Sequence, residues 1–156
     1  FRDCASLTVE FSSATALESI GENAFMGCDG ISSFILGEGS ALKEIGAAAF
    51  FESGVITVDL SGSELEDLGY ASVFEGCALL STLVLPDTVT QIGANAFKNC
   101  YGLTSVTVEG DGAAIRFIGE LAFHNCAFDP ASVTAHCAPD CETASNAFAN
   151  CHARQE

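Results

Sequence analysis

The sequence predicts a β-rich solenoid, one continuous coil of about six turns, each 23–26 residues long. Three observations predict it. Seven phenylalanines, Phe1, Phe25, Phe50, Phe74, Phe97, Phe123 and Phe148, follow one another at intervals of 24, 25, 24, 23, 26 and 25 residues. Three positions after each stands Cys4, Cys28, Ser53, Cys77, Cys100, Cys126 or Cys151, a cysteine in six cases of seven. Between these anchors each turn carries a short stretch in which apolar and polar side chains alternate. Self-similarity at a period of about 20 to 50 residues marks stacked units, none of which can bury its apolar face alone.

The elements of one turn follow in order. After each cysteine slot comes an alternating segment, which reads as a strand with one buried face. These segments are Val9-Glu10-Phe11, Phe34-Ile35-Leu36, Val58-Asp59-Leu60, Leu83-Val84-Leu85, Val106-Thr107-Val108 and Val133-Thr134-Ala135. Turn-rich loops follow: Gly37-Glu38-Gly39-Ser40, Ser61-Gly62-Ser63, Pro86-Asp87 and Glu109-Gly110-Asp111-Gly112. A second extended piece then ends at Ile20, Ile45, Leu68, Ile92 or Ile118, each followed by glycine. The turn closes on Ala-Phe-x-x-Cys, as in Ile92-Gly93-Ala94-Asn95-Ala96-Phe97-Lys98-Asn99-Cys100.

This pattern resembles the BspA-like, or Treponema pallidum-type, leucine-rich repeat. The fullest match is Leu80-x-x-Leu83-x-Leu85-Pro86-x-x-Val89-x-x-Ile92-Gly93-x-x-Ala96-Phe97-x-x-Cys100, and the resemblance spans essentially the whole chain. It implies a right-handed superhelix with short parallel strands and little regular helix. Three departures stand out: Ser53 in a cysteine slot, Asp129 where an apolar residue is expected, and Thr143-Ala144 in place of Ile-Gly. We therefore expect one domain over residues 1–156 with an irregular terminal turn over 127–156. Because the chain starts in mid-repeat without Met, we expect it to be part of a longer protein.

Composition narrows the function. The chain is 49% hydrophobic, yet its longest apolar runs are short, far below the roughly 20 residues needed to span a bilayer. The apolar side chains are therefore expected inside. A net charge of −16, with only Arg2, Lys43, Lys98, Arg116 and Arg154 as strong bases, argues against nucleic acid, whose phosphates need clustered cations. No nucleophile, base and orienting group stand at a catalytic spacing. The acid pairs Glu66-Asp67 and Glu109 with Asp111 read as solvated loop charges, and no cofactor is expected. The reading is a non-enzymatic chain.

Six of the eight cysteines share one repeat slot and are expected to stack as reduced, buried thiols that pack as small hydrophobes. Cys137 and Cys141 lie off that period, in a segment flanked by His124, Cys126, Cys151 and His152. A local disulfide, a structural zinc site and unpaired thiols all remain open for them.

The candidate site is the outward face of the strands. One expected row is all hydroxyl: Thr8, Ser33, Thr57, Thr82, Ser105 and Ser132. Its neighbour reads Glu10, Ile35, Asp59, Val84, Thr107 and Thr134. Solenoids use such rows as binding surfaces. Glu10, Ile35, Asp59, Val84 and Thr107, with Thr57 and Thr82 beside them, are the expected protein contacts. The resemblance implies a secreted or surface-exposed recognition module that binds host or matrix protein. The alternative is a structural subunit docked within a larger assembly, in an organelle lumen or an intracellular complex.

Overall fold

The computed structural model describes residues 1–110 and 114–152. Asp111 and Gly112 of the expected fourth loop, and Arg154, lie outside them. About five turns stack, with strands β1 (Ser19–Ile20), β2 (Ser33–Ile35), β3 (Glu44–Ile45), β4 (Thr57–Asp59), β5 (Asp67–Leu68), β6 (Thr82–Leu85), β7 (Gln91–Ile92), β8 (Ser105–Val108), β9 (Ile115–Ile118) and β10 (Cys137–Thr143). One four-residue helix, α1 (Ala131–Thr134), completes them.

The strands form two lines along the coil. Strands β2, β4, β6 and β8 make one parallel sheet. Along the other line β1 pairs β3, and β5, β7, β9 and β10 form a second parallel sheet. Registers follow the repeat: Phe34, Val58, Leu83 and Val106 are partners in the first sheet, and Leu68, Ile92 and Ile118 in the second. All seven of these side chains are buried. Parallel pairing of equivalent residues is what a regular coil requires, since each turn advances one strand spacing of about 4.8 Å.

The third side of each turn carries Ala-Phe-x-x-Cys, and it is held by backbone hydrogen bonds between turns. The residue two places after each phenylalanine takes a positive φ: Asp3, Gly27, Glu52, Gly76, Asn99, Asn125 and Asn150, between 51° and 76°. Asn, Asp and Gly tolerate this left-handed region better than other residues, which explains their frequency in the slot. Asn23, Ala48, Ser72, Asn95 and Leu121, two places before the ring, do the same. Alternate N–H groups of this arm thus reach the next turn, while those between them bond back within their own turn. Phe50 N–H reaches Val73 O at 2.9 Å, Phe74 N–H reaches Ala96 O at 2.8 Å, and Phe97 N–H reaches Ala122 O at 2.8 Å. No buried amide is orphaned at these positions, as the cost of an unmade hydrogen bond demands.

The rings stack as the spacing predicts. Successive centroids from Phe25 to Phe148 lie 5.1–5.3 Å apart, and the pairs from Phe74 onward are within 7° of parallel. Phe1 stacks on Phe25 at 5.8 Å but is 73% exposed. The step slightly exceeds the strand spacing, and offset stacking suits aromatic quadrupoles. Close approach between turns also explains a repeat glycine. A Cβ on Gly93 would stand 2.4 Å from the carbonyl oxygen of Gly69 in the preceding turn.

Two expected strands are corrected. Val9-Glu10-Phe11 forms none: Phe11 is buried and packs edge-on to Phe34 at 4.6 Å, so its ring joins the core while its backbone stays outside the ladder. Val133-Thr134-Ala135 lies instead in and after α1. Pro130 cannot donate to a ladder, and Asp129 Oδ1 accepts the Ala131 N–H at 2.9 Å, which favours a helical start. Val133 is buried, α1 packs against β8, and the last edge of the first sheet is thereby covered. Phe128 fills the apolar slot near Asp129, edge-on to Phe123 at 5.3 Å.

Candidate protein-binding face

Strand alternation builds the face. In β4, Val58 points into the core, so Thr57 and Asp59 must point out. The same holds for Thr82 and Val84 in β6, for Ser33 and Ile35 in β2, and for Ser105 and Thr107 in β8. Register then aligns them across four strands. Ser33, Thr57, Thr82 and Ser105 form one continuous row, and Ile35, Asp59, Val84 and Thr107 form the next. Six of the seven expected contact residues are thus brought together: Ile35, Asp59, Val84, Thr107, Thr57 and Thr82. Glu10 is exposed but lies on no strand, and the rows do not extend to it. Ser132 and Thr134, in α1, also leave the rows.

The chemistry of the face is mixed. Ile35 is 40% exposed and Val84 partly so, on either side of Asp59. Asp59 is less free than its charge suggests: its Oδ1 accepts the Ser61 N–H at 3.0 Å and the Ser61 hydroxyl at 2.6 Å. That is the Asx-type bond by which short acids set turns. The hydroxyl row offers both donors and acceptors.

Residue-level pattern reading overlooked three apolar side chains. Ile56, 43% exposed, occupies a column otherwise filled by Ser32, Ser81 and Thr104, just before the strands. An isoleucine in a polar column was the available signal. Leu79, 61% exposed, and Tyr101 lie at the neighbouring corner, where no alternation exists to flag them.

The described surface carries a marked excess of acids. Of the described bases, Lys98 pairs with Glu75 at 3.0 Å, Arg116 with Asp140 at 3.3 Å and Arg2 with Asp3 at 3.5 Å, while Lys43 sits among Glu64, Glu66 and Asp67. The excess of acids is therefore uncompensated over most of the surface.

The thiol ladder has a defined structural role. Four of the six ladder thiols donate to the phenylalanine carbonyl of the preceding turn: Cys28 to Phe1 at 2.9 Å, Cys77 to Phe50 at 3.0 Å, Cys100 to Phe74 and Cys126 to Phe97 at 3.2 Å. Ser53, in the same slot, lies 3.4 Å from the Cys77 sulfur. Burial pushes the Cys77 thiol up to about 11 and raises Cys100 and Cys126 well above the ordinary thiol range. Such thiols are poor nucleophiles. Among the described residues, no three His, Cys, Asp or Glu side chains converge as a metal site would need, and no helix is long and apolar enough to cross a membrane.

Comparison with known proteins agrees with this architecture. A family model described as "BspA type Leucine rich repeat region" matches residues 1–129 in six copies. A leucine-rich repeat protein from Bacteroides ovatus superposes with a TM-score of 0.61 at 26% identity, over 76% of this chain and 32% of its own. The leucine-rich repeat protein of T. pallidum superposes with a TM-score of 0.52 at 20% identity, over 81% of this chain and 69% of its own. The chain thus spans about a third of the length of the Bacteroides protein. No curated protein matches it.

Proposed function

The chain belongs to the BspA-type leucine-rich repeat family, and on that premise we propose that it is a non-catalytic protein-interaction module, surface-exposed or secreted, that binds a basic protein through the outward face of β2, β4, β6 and β8. One observation carries the reading. Ile35, Asp59, Val84 and Thr107 stand in register on a rigid sheet, with Thr57 and Thr82 alongside and apolar Ile56 at the margin. Exposed apolar side chains beside an acid and a row of hydroxyls are the mixture that buries apolar area at a contact's centre and satisfies polar groups at its rim. The acidic exterior supplies steering toward a cationic surface, an effect that salt weakens.

The test is binding of the chain to a panel of basic extracellular-matrix proteins, with the wild type compared to an Ile35→Ser, Val84→Ser double variant. Removing two central apolar contacts is expected to weaken binding by tenfold or more, since each truncated anchor costs about 1–2 kcal/mol. Both side chains are partly solvated, so the melting temperature should stay within a few degrees. Raising the salt from low to high ionic strength should weaken the wild type as well. Equal binding by the variant removes this face as the contact. Recovery only as a fixed subunit of a larger complex would favour the scaffold reading.

A further inference from the structure

We propose that Cys137 and Cys141 form an oxidisable dithiol, a modification site whose intramolecular disulfide clamps the bulge of β10 and so locks the terminal turn. The backbone brings the two together. In β10, Cys137 pairs with Ile115, but the next paired residue, Glu142, faces Phe117. Five steps along β10 therefore oppose two along β9, and the surplus chain loops out between them. The surplus chain folds back on itself, which leaves Cys141 near enough to Cys137 to raise the pKa of its thiol. Pro139 and Asp140 form its exposed tip, while both cysteines are half-buried at its base and so remain accessible to a small reagent.

Other thiol pairings are less favoured. The Cys126 thiol is buried and donates to Phe97 O, and that of Cys151 donates to Phe128 O at 3.5 Å. Ladder cysteines in parallel register also project the same way, which suits the roughly 90° disulfide dihedral poorly. Cys137 and Cys141 share one strand and one loop, and no register holds them parallel. Near them, the Cys141 sulfur lies 3.6 Å from the Thr143 hydroxyl and the Cys137 sulfur 4.0 Å from Val133 O, contacts easily exchanged.

The oxidant is a low-molecular-weight disulfide such as oxidised glutathione. Cys141 gives its proton to water, and its thiolate attacks one glutathione sulfur, breaking that S–S bond and expelling a glutathione thiolate. Cys137 then loses its proton and attacks the Cys141 sulfur of the mixed disulfide, expelling the second glutathione thiolate. Two protein thiols are oxidised, one glutathione disulfide is reduced to two thiols, and the two released protons end on them. Burial first, and then the adjacent Cys141, push the Cys137 thiol up to about 12, which slows any attack by Cys137 itself on glutathione.

The test uses the reduced full chain, equilibrated with mixtures of reduced and oxidised glutathione, quenched by alkylation and digested after Asp-N and Glu-C cleavage. Cuts before Asp129 and Asp140, and after Glu120 and Glu142, place Cys126, Cys137, Cys141 and Cys151 on four separate peptides. The expected product is a reducible link between the Cys137 and Cys141 peptides. Its formation constant in the native chain should exceed that in the urea-unfolded chain by about tenfold or more, equivalent to roughly 30 mV. Cys137→Ser should leave Cys141 trapped as a mixed disulfide with glutathione. A constant equal to the unfolded value, a preferred link to Cys126 or Cys151, or continued alkylation of both thiols would each overturn the proposal.

Discussion

Phe74 is fully buried, with Phe50 at 5.1 Å on one side and Phe97 at 5.3 Å on the other. Truncation to Ala opens a gap that neither neighbour can fill without leaving its own turn. Phe74→Ala should therefore cost about 3–5 kcal/mol in a urea unfolding curve. The same change at the exposed Phe1 should cost less than about 1 kcal/mol. Equal effects at the two sites would mean that the ladder is not the core. The Cys77 thiol adds a pH dependence. In the folded chain its pKa is raised to about 11 from the ordinary thiol value of 9.0, so between these values the unfolded chain loses a proton that the folded chain retains. Stability is then unaffected by this group below about pH 9 and falls as pH rises from 9 through 11, by at most about 1.4 kcal/mol per unit. Cys77→Ala should flatten that part of the stability profile, and an unchanged slope would contradict the assignment.

The elements were legible in the sequence to different degrees. Strand alternation at Thr57-Val58-Asp59 and Thr82-Leu83-Val84-Leu85 identified both the buried and the outward residues, because period two has one physical cause. The outward rows of β2, β4, β6 and β8 followed from the repeat register. The first and last turns were misread for the same reason. Val9-Glu10-Phe11 and Val133-Thr134-Ala135 alternate like strands, but pairing depends on what lies beside them. At the far end, Asp129-Pro130 and a covering role for Val133 outweigh the alternation. Ile56 escaped notice because it precedes its strand. The spacing located the Ala-Phe-x-x-Cys arm without its backbone form, in which left-handed residues make it a third hydrogen-bonded side. Its close packing gives an element-scale prediction. Gly93→Ala would press a methyl group onto the Gly69 carbonyl and should cost about 1–3 kcal/mol by calorimetry. No loss of stability would mean that adjacent turns are further apart than described.

At the scale of the whole molecule, a coil of this kind turns a one-dimensional repeat into two rows of chemically varied side chains on a rigid support. Only the inward positions are constrained by stacking, and they repeat: Phe, Cys, Ile and Leu recur turn after turn. The outward positions are free to differ, and Ile35, Asp59, Val84 and Thr107 do differ. That contrast is why the fold could be read from spacing while the partner could not. Acidic charge spread over the exterior sets up a long-range field without specifying a contact. The turn after Cys126 combines a helix over the sheet edge with a bulged strand carrying two thiols, unlike the turns before it.

A crystal structure of the chain tests the central claim most directly, through the positions of the rings alone. The account predicts a single column of phenylalanines, Phe25 to Phe148, with neighbouring centroids 5.1–5.3 Å apart and the Cys28, Cys77, Cys100 and Cys126 thiols each bonded to the phenylalanine carbonyl of the turn before. Rings distributed among separate clusters, or turned toward solvent, would contradict it.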